Sequence, residues 1–232
     1  MFKHFLIKKY TSIWSLLFIV VILCSAIITL MSFKAPKGLA FEILDKLSGA
    51  DKQEMLDRIA KLNKSAEIGD LDSVNYLLKQ GVIIDAKYNN HTALLIAAAN
   101  NHPKVCDVLL KAGAHARSVD RVNTADSNGL MPADYAARNP ETLRVFLDAG
   151  VPIESKGWYG QTMLFEAIDA NAVDSVKLLI QRGANVNAKS TEMDCGMMHI
   201  PSLTPLQLAK NPEIEKLLLD AGAIPISKDK EQ

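Results

Sequence analysis

The chain has 232 residues, and its 26 basic side chains balance its 26 acidic ones. The balance is uneven, because residues 1–37 carry five lysines and no acid, which leaves the remainder with 21 basic and 26 acidic groups, a net charge of −5. Affinity for phosphates needs clustered lysine and arginine, so this composition argues against a nucleic-acid partner.

Residues 11–33 form the first predicted element, a run of 23 residues without a charge. At a rise of about 1.5 Å per residue, a helix of this length crosses a hydrocarbon core of about 30 Å. Trp14 near its start suits an interfacial anchor. We expect a transmembrane signal-anchor helix after a basic tail, residues 1–10. The alternative is a cleaved signal peptide, whose apolar stretch is normally only about 7–15 residues.

The orientation of this segment rests on its flanking lysines. Lys3, Lys8 and Lys9 favour a cytoplasmic N-terminus, although Lys34 and Lys37 on the other flank weaken the bias. The prediction is a single-pass protein of the inner (cytoplasmic) membrane of a bacterium, with its C-terminal domain in the periplasm.

Residues 34–57 form a predicted linker that leads into the domain. Phe41, Leu44 and Leu47 are spaced as a short amphipathic piece. Two interpretations stay open, a cap on the following domain or a segment lying on the membrane, and we favour the cap. Met55, Ile59, Leu62 and Ala66 then predict a helix over residues 54–68.

The remainder is built from repeats. NNHTALLIAAANNHPKVCDVLLKAGAHAR, residues 89–117, matches YGQTMLFEAIDANAVDSVKLLIQRGANVNAK, residues 159–189. The matched pairs are Thr92 with Thr162, Leu94 with Leu164, Ala97 with Ala167 and Gly113 with Gly183. Three further units fit, and an apolar pair precedes each closing glycine. The closing glycines are Gly81, Gly113, Gly150, Gly183 and Gly222.

These motifs, Thr-x-Leu-x-x-Ala followed by an apolar pair and Gly-Ala, resemble the ankyrin-repeat family over residues 58–226. The resemblance implies an all-α solenoid of about five repeats, in which stacked helix pairs bury the faces that one unit cannot bury alone. It also implies a non-enzymatic module that binds another protein. Residues 227–232 are read as a charged tail.

The departures from the family pattern are specific. The family's histidine after Thr-Pro-Leu is absent; the four positions that align hold Leu95, Asp134, Phe165 and Gln207. Two loops are long, residues 118–128 and 190–203, and the units after them have shortened helices, with Asn-Pro breaks at Pro140 and Pro212. Long loops on a repeat stack often form the binding face.

Partner-binding candidates come from these loops. Trp158 and Tyr159 lie in the turn before the fourth unit, where aromatic side chains make good interface anchors. The alternative for Trp158 is packing against the preceding unit. Neighbouring loop positions add four more candidates: Tyr88, His91, Leu130 and Gln161. The acidic domain suits a basic partner.

The second long loop raises a metal hypothesis. Met193, Cys195 and His199, with Met197 and Met198, offer thioether, thiolate and imidazole ligands to Cu(I). The alternative is that Met197 and Met198 pack the loop onto the stack or reach a partner protein, which we favour.

No catalytic, phosphate-binding or calcium-binding motif occurs, so we expect neither an enzyme nor a cofactor. The prediction is a membrane-tethered interaction module, either an accessory to an envelope enzyme or an immunity protein, with copper handling as the alternative.

Overall fold

The computed structural model describes residues 47, 49–116, 129–157, 160–194, 199–200 and 202–225. All of these belong to Ala40–Gln232, the second of the two units into which the chain divides. The predicted membrane segment, residues 11–33, lies outside the described residues, as do both predicted tails. In the part of the chain that is described, no helix combines the length and apolar character needed to cross a bilayer.

The described residues form five consecutive helix pairs, one for each predicted unit. The pairs are α1 (Gly49–Ile68) with α2 (Leu71–Lys79), α3 (Ala93–Ala99) with α4 (Pro103–Lys111), α5 (Pro132–Ala136) with α6 (Pro140–Asp148), α7 (Met163–Asp169) with α8 (Val173–Gln181), and α9 (Pro205–Leu208) with α10 (Pro212–Asp220). The opening helix begins at Gly49, five residues before the start that its apolar spacing predicts.

Two rows of helices build the stack. The first helix of each pair contacts the first helix of the next, and the second helices contact one another in the same way. We call these the inner helices (α1, α3, α5, α7, α9) and the outer helices (α2, α4, α6, α8, α10). Of each predicted apolar pair, the first residue is buried in all five units, as with Leu109 and Phe146, both 0% exposed. The core therefore lies between the two rows, and each unit contributes to it.

The closing glycines behave as predicted from their position after each outer helix. All five have φ between +72° and +98°. This left-handed conformation costs a residue with a Cβ energy that glycine avoids.

The units alternate between full and shortened inner helices. α3 and α7 have seven residues, whereas α5 has five and α9 has four. In the full units, left-handed Asn101 and Asn171 turn the chain towards the outer helix. In the shortened units, Asn139 and Asn211 are extended, and each side chain accepts a hydrogen bond from the first turn of the outer helix that it caps. Proline opens both outer helices, as predicted.

One hydrogen bond recurs between consecutive units and fixes their register. A side chain four residues past one closing glycine accepts from the backbone N–H two residues past the next closing glycine. The pairs are Asp85 Oδ1 with His115 N (3.0 Å), Glu154 Oε1 with Asn185 N (2.8 Å) and Asn187 Oδ1 with Ile224 N (2.9 Å).

The second long loop adds two very short strands to this helical fold. β1 (Met193–Asp194) pairs antiparallel with β2 (His199–Ile200), so the chain reverses direction between them. The helical repeat fold is confirmed, and this two-residue ladder is an addition that the repeat pattern did not predict.

Candidate functional site

A groove of about 380 Å³ lies on the inner-helix face of the first three units. It is bounded by α1, α3 and α5 and by the turn that precedes α3. We call the turn before each inner helix a finger. The apolar lining residues are Ala60, Leu95, Ile96, Ala99 and Tyr135. The polar lining residues are Asn63, Lys64, Glu67, Tyr88, Asn89, His91 and Asn100.

The finger that borders the groove is a tight hairpin. The backbones of Tyr88 and His91 exchange two hydrogen bonds of 3.0 and 3.1 Å. Between them, Asn89 and Asn90 have φ of 51° and 68°. Two consecutive positive φ values are the requirement of the two-residue hairpin turn, and asparagine tolerates them better than most residues. The turn holds the Tyr88 ring at the rim, 43% exposed.

Asn63 of α1 holds this finger in place. Its side-chain amide donates to the carbonyl of His91 at 2.9 Å and to that of Tyr88 at 3.5 Å. The residue is 4% exposed, so the bonds are sheltered from water. The spacing that aligns Ser65 with Ala97 also aligns Asn63 with Leu95. Asn63 therefore stands at the family's histidine position in the first unit.

The polar rim offers mixed chemistry beside the apolar floor. Lys64 and Glu67 form an ion pair of 2.9 Å, with side chains 67% and 52% exposed. Such an exposed pair adds little stability, and a partner can exchange it for contacts of its own. The Asn100 amide donates to the carbonyl of Ile96 at 2.9 Å. The rim thus presents one charge of each sign and several amides.

A cluster of three ionisable side chains, two of them buried, adjoins the groove through Tyr135. Asp134 of α5 is 2% exposed, and the Glu166 side chain of α7 is 9% exposed. Burial raises the pKa of Glu166 to about 7, and the nearby Asp134 carboxylate adds to the increase, while Arg138 opposes it. The ion pair between Arg138 Nη2 and Glu166 Oε2 is long, at 3.5 Å. The Cζ atom of Arg138 lies 5.2 Å from the centre of the Tyr135 ring.

The finger of the fourth unit is held by close approaches. Gly157 N–H donates to the carbonyl of Gln161 at 2.7 Å. A Cβ on Gly160, whose φ is +68°, would lie 1.9 Å from Oγ1 of Thr191 in the long loop before unit five. A Cβ on Gly157 would lie 3.3 Å from the Asp134 carboxylate. Asp134 of unit three therefore borders this finger as Asn63 of unit one borders the finger of unit two.

The structure brings together only part of the predicted partner-binding set. Tyr88 and His91 meet at the groove rim. Gln161 is half-buried at the base of the finger of the fourth unit, and Leu130 is half-buried just before α5. Neither is among the groove-lining residues. The remaining candidates lie outside the described residues: Trp158, Tyr159, Met197 and Met198.

The predicted copper ligands are placed only in part. The backbones of Met193 and His199 belong to the two strands of the ladder, which pairs Asp194 with His199. Cys195 lies outside the described residues. Among the residues that the structure does describe, no three or more His, Cys, Asp or Glu side chains gather as a metal site. The copper site stays a prediction.

The stacked helix pairs, the left-handed closing glycines and the finger-lined groove define a helical repeat protein. A family model described as "Ankyrin repeats (3 copies)" matches residues 32–120 and 117–190, more than half of the chain. The chain belongs to the ankyrin-repeat family, whose members are generally non-enzymatic protein-interaction modules.

Two human proteins and one viral protein are among the proteins that the chain resembles. The chain is 28% identical over 144 residues to human "Ankyrin repeat and SOCS box protein 6", covering 57% of the chain and 33% of the relative. It is 32% identical over 123 residues to human "B-cell lymphoma 3 protein", covering 50% and 26%. It is 31% identical over 175 residues to "Putative ankyrin repeat protein FPV031" of fowlpox virus, covering 71% and 48%. The chain thus spans between 26% and 48% of these relatives' lengths.

Proposed function

We propose that this chain is a membrane-tethered ankyrin-repeat module that binds a partner protein through the groove between α1, α3 and α5 and the fingers beside it. The observation that carries the proposal is the groove itself. An apolar floor of Leu95, Ile96 and Tyr135 lies beside the exposed Tyr88 ring, which Asn63 fixes through the finger backbone.

The groove's size and lining indicate what it takes from the partner. A volume of about 380 Å³ accommodates one or two large side chains rather than a whole helix. A tyrosine at the rim beside an apolar floor is the usual composition of an interface hot spot. We therefore expect an apolar anchor residue of the partner to enter the groove, with neighbouring polar groups meeting the Lys64–Glu67 pair.

The partner is proposed to be a basic protein of the cell envelope. The net charge of −5 on residues 38–232 supports this, because opposite charge speeds encounter. Two roles fit such a partner, support of an envelope enzyme and neutralisation of a toxin as an immunity protein.

The tether is proposed to be residues 11–33 in the inner membrane, with the repeat domain in the periplasm. The uncharged run of 23 residues after three lysines supports this topology. An alkaline-phosphatase fusion at the C-terminus tests it, and activity is expected. A well-expressed but inactive fusion would place the domain on the other side.

Binding through the groove is tested by capture from solubilised membranes. Tyr88→Ala with Ile96→Glu is expected to reduce capture of the partner at least tenfold, because it removes the rim anchor and puts a charge on the apolar floor. Leu219→Ala is the matched control, since Leu219 is 41% exposed on the last outer helix, away from the groove. Equal capture by wild type and the groove variant would refute this site.

The role of the finger of the fourth unit in binding is tested in the same capture assay. Trp158→Ala with Tyr159→Ala is expected to weaken capture if these aromatic residues belong to the same binding face. A partner retained equally would remove them from the site.

Copper handling is the second candidate, supported by the ladder that places the backbones of Met193 and His199 on adjoining strands. A Cu(I) titration of the full chain against Cys195→Ser tests it. No Cys195-dependent binding tighter than about micromolar would end this candidate.

A further inference from the structure

The two ends of the stack are finished differently. Seven residues before each closing glycine, the outer helix carries a fully buried residue in units one to four, as with Val74 and Leu143. In the last unit this position is the exposed Glu215. The position thus faces the following unit, and a charge there closes the C-terminal end, as terminal repeats require.

The opposite face carries an aromatic ring that the described residues leave largely exposed. Five residues before each closing glycine, units two to five have an apolar residue that is partly or fully buried, as with Val145 and Leu178. In unit one this residue is Tyr76, which is 63% exposed. It lines a groove of about 470 Å³ between α1 and α2, together with Arg58 and Lys61.

The sequence before α1 has the pattern of an outer helix. FEILDKLSG, residues 41–49, aligns with CDVLLKAG, residues 106–113, with one extra residue before the glycine. Phe41 then takes the position that faces the following unit, and Leu44 takes the position of the buried Leu109. Gly49 has φ +39°, left-handed like the five closing glycines. The family match also begins upstream of α1, at residue 32.

The lengths of the two segments fit. Eight residues of helix extend about 12 Å, and α1 covers about 14 Å from Gly49 to Arg58. A helix that folds back at Gly49 therefore reaches the groove beside Arg58. We propose that residues 41–48 dock on α1 and α2 as an outer half-unit, with Phe41 and Leu44 covering Tyr76.

Hydrogen exchange of the full chain in detergent tests this docking. The backbone amides of residues 41–48 are expected to be protected in the wild type. Phe41→Glu with Leu44→Glu, and separately Tyr76→Glu, are each expected to speed exchange in residues 41–48 and in α2 at least tenfold. Ile224→Glu is the matched control at the other end, where Ile224 is 69% exposed, and it should change neither region.

A double-mutant cycle on the melting temperature adds a second readout. Combining the three substitutions should lower the melting temperature little more than either set alone, because both break the same contact. Additive losses would overturn the proposal, as would free-peptide exchange rates in wild-type residues 41–48. Protection that persists in Tyr76→Glu would place the segment on the detergent or membrane surface instead, and would also overturn it.

Discussion

The short fingers and the long loops come after inner helices that differ in the residue at the family's histidine position. The fingers of units two and four come after inner helices with a polar residue at the family's histidine position, Asn63 and Asp134. The long loops before units three and five come after Leu95 and Phe165 at the same position, 2% and 1% exposed. An apolar side chain has no donor or acceptor for a finger backbone.

This difference links loop length to a single buried position. A polar side chain there ties the next finger close to the inner helix, as Asn63 does at 2.9 Å. Where the residue at this position is apolar, its side chain is buried and offers no hydrogen bond to the loop that follows. The loop before unit five closes on itself, with Ser190 N–H donating to the carbonyl of Leu203 at 3.0 Å. The repeat therefore accommodates a longer loop, and the inner helix that follows each long loop is short, five residues in α5 and four in α9.

The largest effect is expected at Gly160, in a finger that depends on close approach. Gly160→Ala should lower the free energy of unfolding by about 3 kcal/mol, from the left-handed φ and the collision with Thr191. Gly183→Ala is the control, because φ is also positive there but no atom of the other described residues lies within 4 Å of a Cβ, and should cost only about 1 kcal/mol. Equal losses in denaturant titrations would mean that finger contact adds nothing.

The next effect concerns pH at the boundary between units three and four. Glu166 has a folded-state pKa of about 7, above its ordinary value of 4.5, so the folded protein holds the proton longer than the unfolded chain. Stability should therefore fall as pH rises from 4.5 to 7, by at most roughly 3 kcal/mol.

Glu166→Gln should remove this slope in unfolding titrations at several pH values. The groups that face Glu166 are Asp134, Arg138 and Asp169, and all remain in the variant. The exposed Glu141→Gln is the control. A slope unchanged by Glu166→Gln would show that another group titrates in this range.

A smaller effect is expected from Asn63, the residue that ties the second finger. Asn63→Leu should cost about 1–2 kcal/mol and speed amide exchange at Tyr88 and His91, because the finger loses the two hydrogen bonds that Asn63 donates to it from α1. Asn63→His should restore part of the protection, since imidazole can also donate. Unchanged exchange rates at both amides would contradict the proposed link between the residue at position 63 and the rigidity of the finger.

The smallest effect is expected for a surface contact between outer helices. Lys177 pairs with Glu213 at 2.9 Å, and the side chains are 40% and 58% exposed. The hydrogen bond to Glu213 raises the pKa of Lys177. Lys177→Ala should shift the melting temperature less than Gly160→Ala, Glu166→Gln or Asn63→Leu, because water screens an exposed pair. A shift in melting temperature as large as that of Asn63→Leu would contradict the expectation that buried hydrogen bonds stabilise the fold more than exposed ion pairs.

The candidate site could be predicted only in part, for identifiable reasons. Tyr88 and His91 were predicted because loop positions in a repeat frame are known once the frame is set. The groove floor was not predicted, since Ile96 and Tyr135 are 39 residues apart in sequence and meet only when α3 and α5 stack. For Glu166 the sequence carries one local signal, an ionisable residue between the apolar Phe165 and Ala167 on an inner helix.

The sequence by itself determined the repeat frame, because glycine and proline act through the backbone of their own neighbourhood. The five closing glycines, the prolines that open α6 and α10, and the shortening of α5 and α9 all follow from local conformational preferences. Tertiary structure alone decided which polar groups meet across units: Asn63 with the finger, Asp85 with the His115 backbone, and Arg138 with Glu166. These contacts depend on how neighbouring helices pack, and a buried polar residue has no local signature that names its partner.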